Sequence, residues 1–238
     1  MPTMIRLSRC AQLALLLSSF TNAQTSAPPP APPCTVAMLK TRTAGDKNWP
    51  IACSHATLGD AGEELDLRGA HLSYGDFEEA TFQGKEYLRL GGAGLAHADL
   101  SGSKFTVEGP NAFIGFSGAD LSNADLSGSN LTADGKINAV IKFSGANLDH
   151  ADLSGSELTA DSEESGYISF NGADLGHADL SGSKFTAEGE DSYALITFEN
   201  ANLTKADLSG SELTAEGGEY GAVKFDGADL VHSDLSGS

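Results

Sequence analysis

Carboxylates recur at a nearly constant spacing along most of the chain. A first acidic column takes the same place in each copy of the motif ADLSGS, or SDLSGS in the last copy: Asp99, Asp125, Asp152, Asp179, Asp207 and Asp234. A second acidic column comprises Glu108, Asp134, Asp161, Glu188 and Glu216. Stacked on strands about 4.8 Å apart, such carboxylates repel one another unless water, hydrogen bonds or a cation intervene. One interpretation is weak calcium binding by several oxygens. We favour the other, in which each Asp accepts backbone N–H groups at a turn.

Histidines fall in the same register, two residues before an Asp of the first acidic column: His97, His150, His177 and His232. A metal or acid–base role is one interpretation. Asn123 and Lys205 occupy the equivalent position in other copies, however, and a lysine would interrupt a metal ladder. We therefore predict a solvated turn position and no metal site.

Other catalytic signatures are missing from the sequence. No serine or cysteine has a His–Asp arrangement beyond what the repeat explains, and there is no HExxH motif or glycine-rich phosphate loop after a strand. We predict that the protein is not an enzyme and needs no cofactor.

Threonine also recurs once per copy, as the Thr column: Thr106, Thr132, Thr159, Thr186 and Thr214. A flat threonine ladder resembles the surface of ice-binding solenoids, but those surfaces usually carry two ranks and only one is present. Asn130 and Asn202 begin N-L-T sequons, which are glycan acceptors if the host glycosylates exported proteins.

The N-terminal residues favour export. A basic stretch with Arg6 and Arg9 precedes the apolar run AQLALLLSSF, and small residues follow. This order predicts a signal peptide over 1–23, too short to span a membrane, and no other run approaches a span. The proline-rich residues 24–33 predict an extended linker. We expect a secreted, periplasmic or lumenal protein.

Cysteine usage agrees with export. Cys10 would leave with the signal peptide, so that only Cys34 and Cys53 remain. Two cysteines in an exported protein fit one disulfide, within a predicted N-terminal cap over 34–64. They are too few for a structural zinc site.

The net charge of −19, from 33 acidic and 14 basic residues, disfavours nucleic-acid binding. An acidic surface suits cationic partners or metal ions and does not choose between them.

These polar residues are carried by a five-residue unit. Leu121, Leu126 and Leu131 are five apart, and a small residue stands two before each; the unit is A-(D/N)-L-x-x over about 65–238. In these residues the sequence resembles the pentapeptide-repeat family. That resemblance implies an all-β fold, a right-handed quadrilateral β-helix in which each pentapeptide makes one side.

The spacing supports four sides independently. Every fourth step is broken by an insertion such as TADGKINAV, which gives a period of about 27 residues and six to seven coils. Insertions that recur once per coil must leave one corner, and their turn residues suggest hairpin-like tongues. The Leu or Phe residues and the small residues two before them must point inward.

The final coil has only three sides before Ser238, so we predict an uncapped C-terminal end. Two explanations are open: the chain is a fragment, which we favour, or the end is the face of a homodimer.

The sequence predicts a non-enzymatic exported scaffold that presents an acidic rod surface to an unidentified protein partner. Two alternatives are an ice-binding solenoid and a DNA mimic. Acidic rods of the family's quinolone-resistance group resemble duplex DNA and bind DNA gyrase, but the signal peptide argues against that role here.

Overall fold

Parallel pairing between successive copies of the repeat builds a β-solenoid of about six turns. The computed structural model describes residues 34–43 and 51–238, so the predicted signal peptide (1–23) and linker (24–33) lie outside the described residues. The elements are α1 (Val36–Thr41), β1 (Thr57–Leu58), β2 (Leu65–Asp66), β3 (Thr81–Gly84), β4 (Tyr87–Arg89), β5 (Lys104–Gly115), β6 (Asn130–Lys142), β7 (Glu157–Ser162), β8 (Ser165–Ser169), β9 (Lys184–Gly189), β10 (Tyr193–Thr197), β11 (Glu212–Gly217) and β12 (Tyr220–Lys224).

Each coil has four paired sides, as the spacing predicts. Two sides pair through the named strands, for example β6 with β7 and β6 with β8. The other two pair through single bridges, such as Asn147 with Asp174 and Asp152 with Asp179. All strand pairs and bridges in the described residues are parallel, so every side lies directly on its copy in the next coil.

A β-turn makes each corner between pentapeptides. Across one corner, the N–H of Ala151 donates to the carbonyl of Leu148 at 2.9 Å, and the residue before Ala151 has a positive φ of 58°. The next corner has Gly155 in the same position, with φ 61°. A turn that needs positive φ at its third residue favours Gly or Asn there, which explains the recurring SGS of the motif.

The interior consists of ladders of identical or similar apolar side chains. Leu148, Leu153 and Leu158 are at most 1% exposed, and the small residues Ala151 and Ser156 are equally buried. The predicted inward direction of both columns is therefore confirmed. On one side the phenylalanine rings stack at 4.8–4.9 Å and nearly parallel: Phe116, Phe143, Phe170, Phe198 and Phe225.

The insertions form tongues at one corner, and each tongue is an outgoing arm followed by a return arm. In one coil these arms are β7 and β8. The arms pair with their copies in neighbouring coils, whereas strands of a β-hairpin would pair with each other. Their small side chains meet between the arms, where Ala133, Ala139 and Ala160 are fully buried. A Cβ on Gly166 would lie 2.5 Å from the Ala160 carbonyl oxygen, so the two backbones nearly touch.

The coil register begins before Leu65, inside the region predicted as a cap. Ala52 bridges to Asp76, and β1 pairs with β3. Short helix α1 precedes this partial coil, with the Thr35 hydroxyl accepting the Met38 N–H at 3.2 Å as its N-cap. Cys34 and Cys53 are joined by a disulfide with a Cα–Cα distance of 5.4 Å. Export of the protein to a compartment where such a bond forms stays a prediction.

The last coil is less well covered than the others. Leu230 and Leu235 are 36% and 40% exposed, whereas their counterparts in the preceding coil are buried. Among the described residues, no helix combines the length and the apolar character that crossing a membrane requires.

Candidate functional site

The outgoing arms of the tongues carry the second acidic column. Strand pairing places Glu108 on Asp134, Asp134 on Asp161, and so on to Glu216, without a break in register. All are exposed except Glu188, which is half-buried. The described residues show no ion pair or hydrogen bond to any of these carboxylates, and the five negative charges stand one strand spacing apart.

The first acidic column is used by the fold. Each of its six carboxylates accepts the N–H of the residue two positions later, at 2.8–3.0 Å, as Asp152 does from Ser154. Asp99 and Asp125 also accept a serine hydroxyl at 2.6 Å. The backbone N–H of Ser236 lowers the pKa of Asp234 below its ordinary value, with a further contribution from the Ser236 side chain. This column stabilises the corners, and its oxygens are engaged there.

A carboxylate outside both columns has an arginine partner. Asp66 accepts two bonds from the Arg68 guanidinium, at 2.9 and 2.6 Å. These bonds lower the pKa of Asp66 to about 2. Arginine therefore pairs with acids elsewhere on the described surface, but no arginine pairs with a carboxylate of the second acidic column.

The Thr column lies beside the second acidic column on the same arms, in unbroken register. Its side chains are half-buried, and Thr186 is only 8% exposed. The Thr132 hydroxyl donates to Asn130 Oδ1 at 2.7 Å. A rank that is half-buried between flanking side chains is a poor match for the flat, exposed surface of an ice-binding solenoid.

The two sequon asparagines differ in what their side chains do. Asn130 Nδ2 donates to Glu157 at 3.3 Å, on the exposed side of the tongue. Asn202 accepts the Thr204 N–H at 3.0 Å and donates to Asp174 at 2.7 Å, so its amide supports a corner. A glycan on Asn202 would compete with that corner, and glycosylation of either residue stays a prediction.

His97, His150, His177 and His232 occupy corner positions with positive φ, from 57° to 62°. His97 stacks on Tyr74, and His150 stacks on His177 with ring centroids 4.4 Å apart. The Asp149 carboxylate contacts the rings of both His150 and His177, and the sequence analysis did not anticipate this contact.

Comparison with known proteins agrees with this geometry. The family model described as pentapeptide repeats matches in eight copies, over residues 116–133, 141–160 and 196–215. The chain therefore contains pentapeptide repeats. Proteins of this family are generally non-enzymatic structural or binding proteins. No curated protein is significantly similar to this chain in sequence.

Several solved structures of pentapeptide-repeat proteins are similar to this one. Rfr23 from the cyanobacterium Cyanothece 51142 is 20% identical with a TM-score of 0.29, covering 60% of this chain and 84% of its own. HetL, involved in heterocyst differentiation regulation in Nostoc sp. strain PCC 7120, is 23% identical with a TM-score of 0.22, covering 80% and 90%. QnrB1, a plasmid-mediated fluoroquinolone resistance protein, is 18% identical with a TM-score of 0.27, covering 77% and 82%. All are too distant to indicate what this chain binds.

The return arms of the tongues present a different surface, which the sequence analysis missed. Register places Phe113, Val140, Tyr167 and Leu195 in one half-buried outer column. Tyr193 and Tyr220 lie near the tips and are 44% and 46% exposed. The signal was present in AFIGF, where an apolar residue stands between two inward ones. The tongues thus have one charged face and one largely apolar face.

Proposed function

We propose that this protein is an exported, non-enzymatic scaffold whose tongues present the second acidic column to a cationic surface of a protein partner. Pentapeptide-repeat proteins supply a rigid rod, and solenoids bind partners through extended surfaces of this kind. The partner is defined here by its chemistry: a row or patch of lysine or arginine side chains that can reach carboxylates spaced along the rod.

The observation that carries the proposal is the state of the second acidic column. Its members repel one another, and no hydrogen bond or ion pair in the described residues offsets this repulsion. The first acidic column shows that the same chain can satisfy a repeated Asp with local N–H groups. An aligned row of charges that the fold leaves unpaired is therefore available to a cationic partner.

Export rests on the sequence of residues 1–23, with its basic, apolar and small segments in order. Fusing these residues to a reporter tests it. We expect the reporter to leave the cytosol. Cytosolic retention would contradict export and would favour the DNA-mimic alternative, because the rod carries a strongly negative charge.

Partner binding is tested with two neutralised forms of the 24–238 protein that lose the same number of charges. The column variant carries Glu108→Gln, Asp134→Asn, Asp161→Asn, Glu188→Gln and Glu216→Gln. The matched control carries the same kind of change at exposed acids outside the column: Glu63→Gln, Glu78→Gln, Glu190→Gln, Glu219→Gln and Asp226→Asn.

Proteins from the native compartment are then captured on each immobilised form at low and at high salt. We expect the wild type and the control to retain the same partner at low salt, and the column variant to lose it. If the control loses it equally, net charge alone explains binding. If the column variant retains it, the second acidic column is not the binding surface.

A further inference from the structure

The histidine pair at one corner of two successive coils forms a cluster that neither the fold nor the proposed function requires. His150 and His177 both have φ 58°. Their backbone positions are held by hydrogen bonds, because each N–H donates to a carbonyl oxygen of the next coil at 2.9 Å. Their rings stack at 4.4 Å with an interplanar angle of 14°. The side chains are 53% and 42% exposed, so the pair faces solvent on a fixed backbone.

A carboxylate completes the cluster. Asp149 Oδ1 lies 3.0 Å from Nδ1 of His150 and 3.4 Å from Nδ1 of His177. It reaches the second ring because Gly176 occupies the equivalent position in the next coil. A Cβ on Gly176 would lie 3.0 Å from Asp149 Oδ1, tight enough to press the carboxylate away. Asp149 is thus placed to contact both imidazoles at once.

We propose that Asp149, His150 and His177 bind one divalent transition-metal ion, with Zn²⁺ as the prime candidate. Each residue offers one ligand atom, and the three atoms lie within 4.8 Å of one another. Two imidazole nitrogens and one carboxylate oxygen are a ligand set that Zn²⁺ and Cu²⁺ accept, with water filling the remaining position. The two rings are nearly parallel, so binding one ion requires them to turn out of their stack until both nitrogen lone pairs converge.

The site is a pair and does not extend into a ladder. Asn123 and Lys205 take the histidine position in the coils on either side. His97 has Ala96 before it and stacks on Tyr74, so it lacks both the carboxylate and the second imidazole. Among the described residues, this is the one cluster of its kind. Lys205 would end any longer ladder, whereas the two adjacent coils of His150 and His177 are free to share one ion.

Surrounding charge is mixed but favours a cation. Asp174 lies next to Gly176, whose N–H donates to its Oδ1 at 3.1 Å. Lys205 follows His177 in the column and is exposed, so its ammonium can turn toward solvent. The formal net charge of −19 adds a long-range attraction for cations.

The test uses the untagged 24–238 protein, because a histidine tag would bind the same ions. Zn²⁺ is titrated by calorimetry into the wild type and into substitutions that copy residues from equivalent positions of other coils. His177→Asn copies Asn123, and Asp149→Ser copies Ser122, so both keep a residue that the corner already tolerates. The matched control is His97→Asn, in the same column but outside the cluster.

We expect one Zn²⁺ per chain, an affinity at least about tenfold weaker in His177→Asn and Asp149→Ser, and no change in His97→Asn. Gly176→Ala should weaken binding without removing a ligand, because the added Cβ displaces Asp149. Equal binding by all variants, an equal loss in His97→Asn, or no binding at millimolar Zn²⁺ would overturn the site.

A second measurement separates ligand loss from misfolding. Substoichiometric Cu²⁺ should broaden the imidazole proton signals of His150 and His177 in the wild type before those of His97 and His232. Broadening of the signals of His97 and His232 to the same extent as those of His150 and His177 would show that the ion binds without selection and would refute the proposal. Thermal melts of each variant, expected to match the wild type, accompany both experiments.

Discussion

Both acidic columns repeat once per coil, and both place like charges about one strand spacing apart. In the first acidic column every carboxylate accepts a backbone N–H two residues later. In the second, which stands on the outgoing arms of the tongues, the described residues provide no such partner. Repetition of an acid is therefore no guide to its role. What distinguishes the columns is whether the local backbone offers a donor, and that depends on the corner turn.

The largest effect is expected where a carboxylate would have neither a backbone donor nor water. Leu153→Asp places a carboxylate in the inward leucine ladder, at the residue after Asp152, where the native side chain is 1% exposed. We expect the free energy of unfolding to fall by about 4 kcal/mol or more, since a buried unpaired charge is among the most destabilising changes. Chemical denaturation followed by circular dichroism measures it. Leu153→Met is the control, and a melt of Leu153→Asp equal to that of wild type would contradict the inward assignment.

A smaller loss is expected when a carboxylate of the first acidic column is removed. Asp152→Ala deletes the acceptor of the Ser154 N–H and should cost about 1 kcal/mol. Asp152→Asn keeps an acceptor oxygen, as Asn202 does for the Thr204 N–H, and should cost less than half as much. Denaturation midpoints compare the two variants. Equal losses would mean that charge, and not the hydrogen bond, is what this column contributes.

The second acidic column should respond in the opposite direction. Asp161→Asn removes repulsion from Asp134 and Glu188 and should raise the free energy of unfolding by up to about 0.5 kcal/mol. The gain should shrink as added salt screens the remaining charges. Urea titrations at low and high ionic strength measure both effects. A loss of stability in this variant would show that Asp161 has a structural partner after all.

The smallest effect concerns a single titration. The pKa of Asp234 lies below the ordinary value because its carboxylate accepts the Ser236 N–H. A folded pKa below the unfolded one means that this bond stabilises above the unfolded pKa and is lost as the pH falls through the folded pKa. Carboxyl carbon NMR should give a lowered midpoint that largely survives Ser236→Ala and is lost in Ser236→Pro, which has no N–H. An ordinary midpoint in the wild type would exclude the bond.

Much of the fold follows from the sequence because its determinants are local. The five-residue spacing of Leu121, Leu126 and Leu131 is enough to predict the sides, and the burial of these residues confirms it. The arrangement of the tongue arms was not predictable in the same way. The Asp-Gly-Lys turn signal at 134–136 serves equally for a hairpin and for two arms that pair only with neighbouring coils.

The candidate sites were harder to predict for a related reason. Asp149 belongs to one coil and His177 to the next, so their contact requires the coils to be superposed and the absence of a side chain at Gly176 to be noticed. The apolar outer column of the return arms likewise appears only when Val140 and Tyr167 are placed in register.

The spacing of the second acidic column has a consequence for the ions around it. Two unit charges in water interact with the thermal energy at a separation of roughly 7 Å. The carboxylates repeat at about 4.8 Å, well inside that length, and the column therefore behaves as a short line charge that holds part of its neutralising cations close by. A partner that replaces those cations sets them free, and the entropy of their release adds to the affinity in dilute salt.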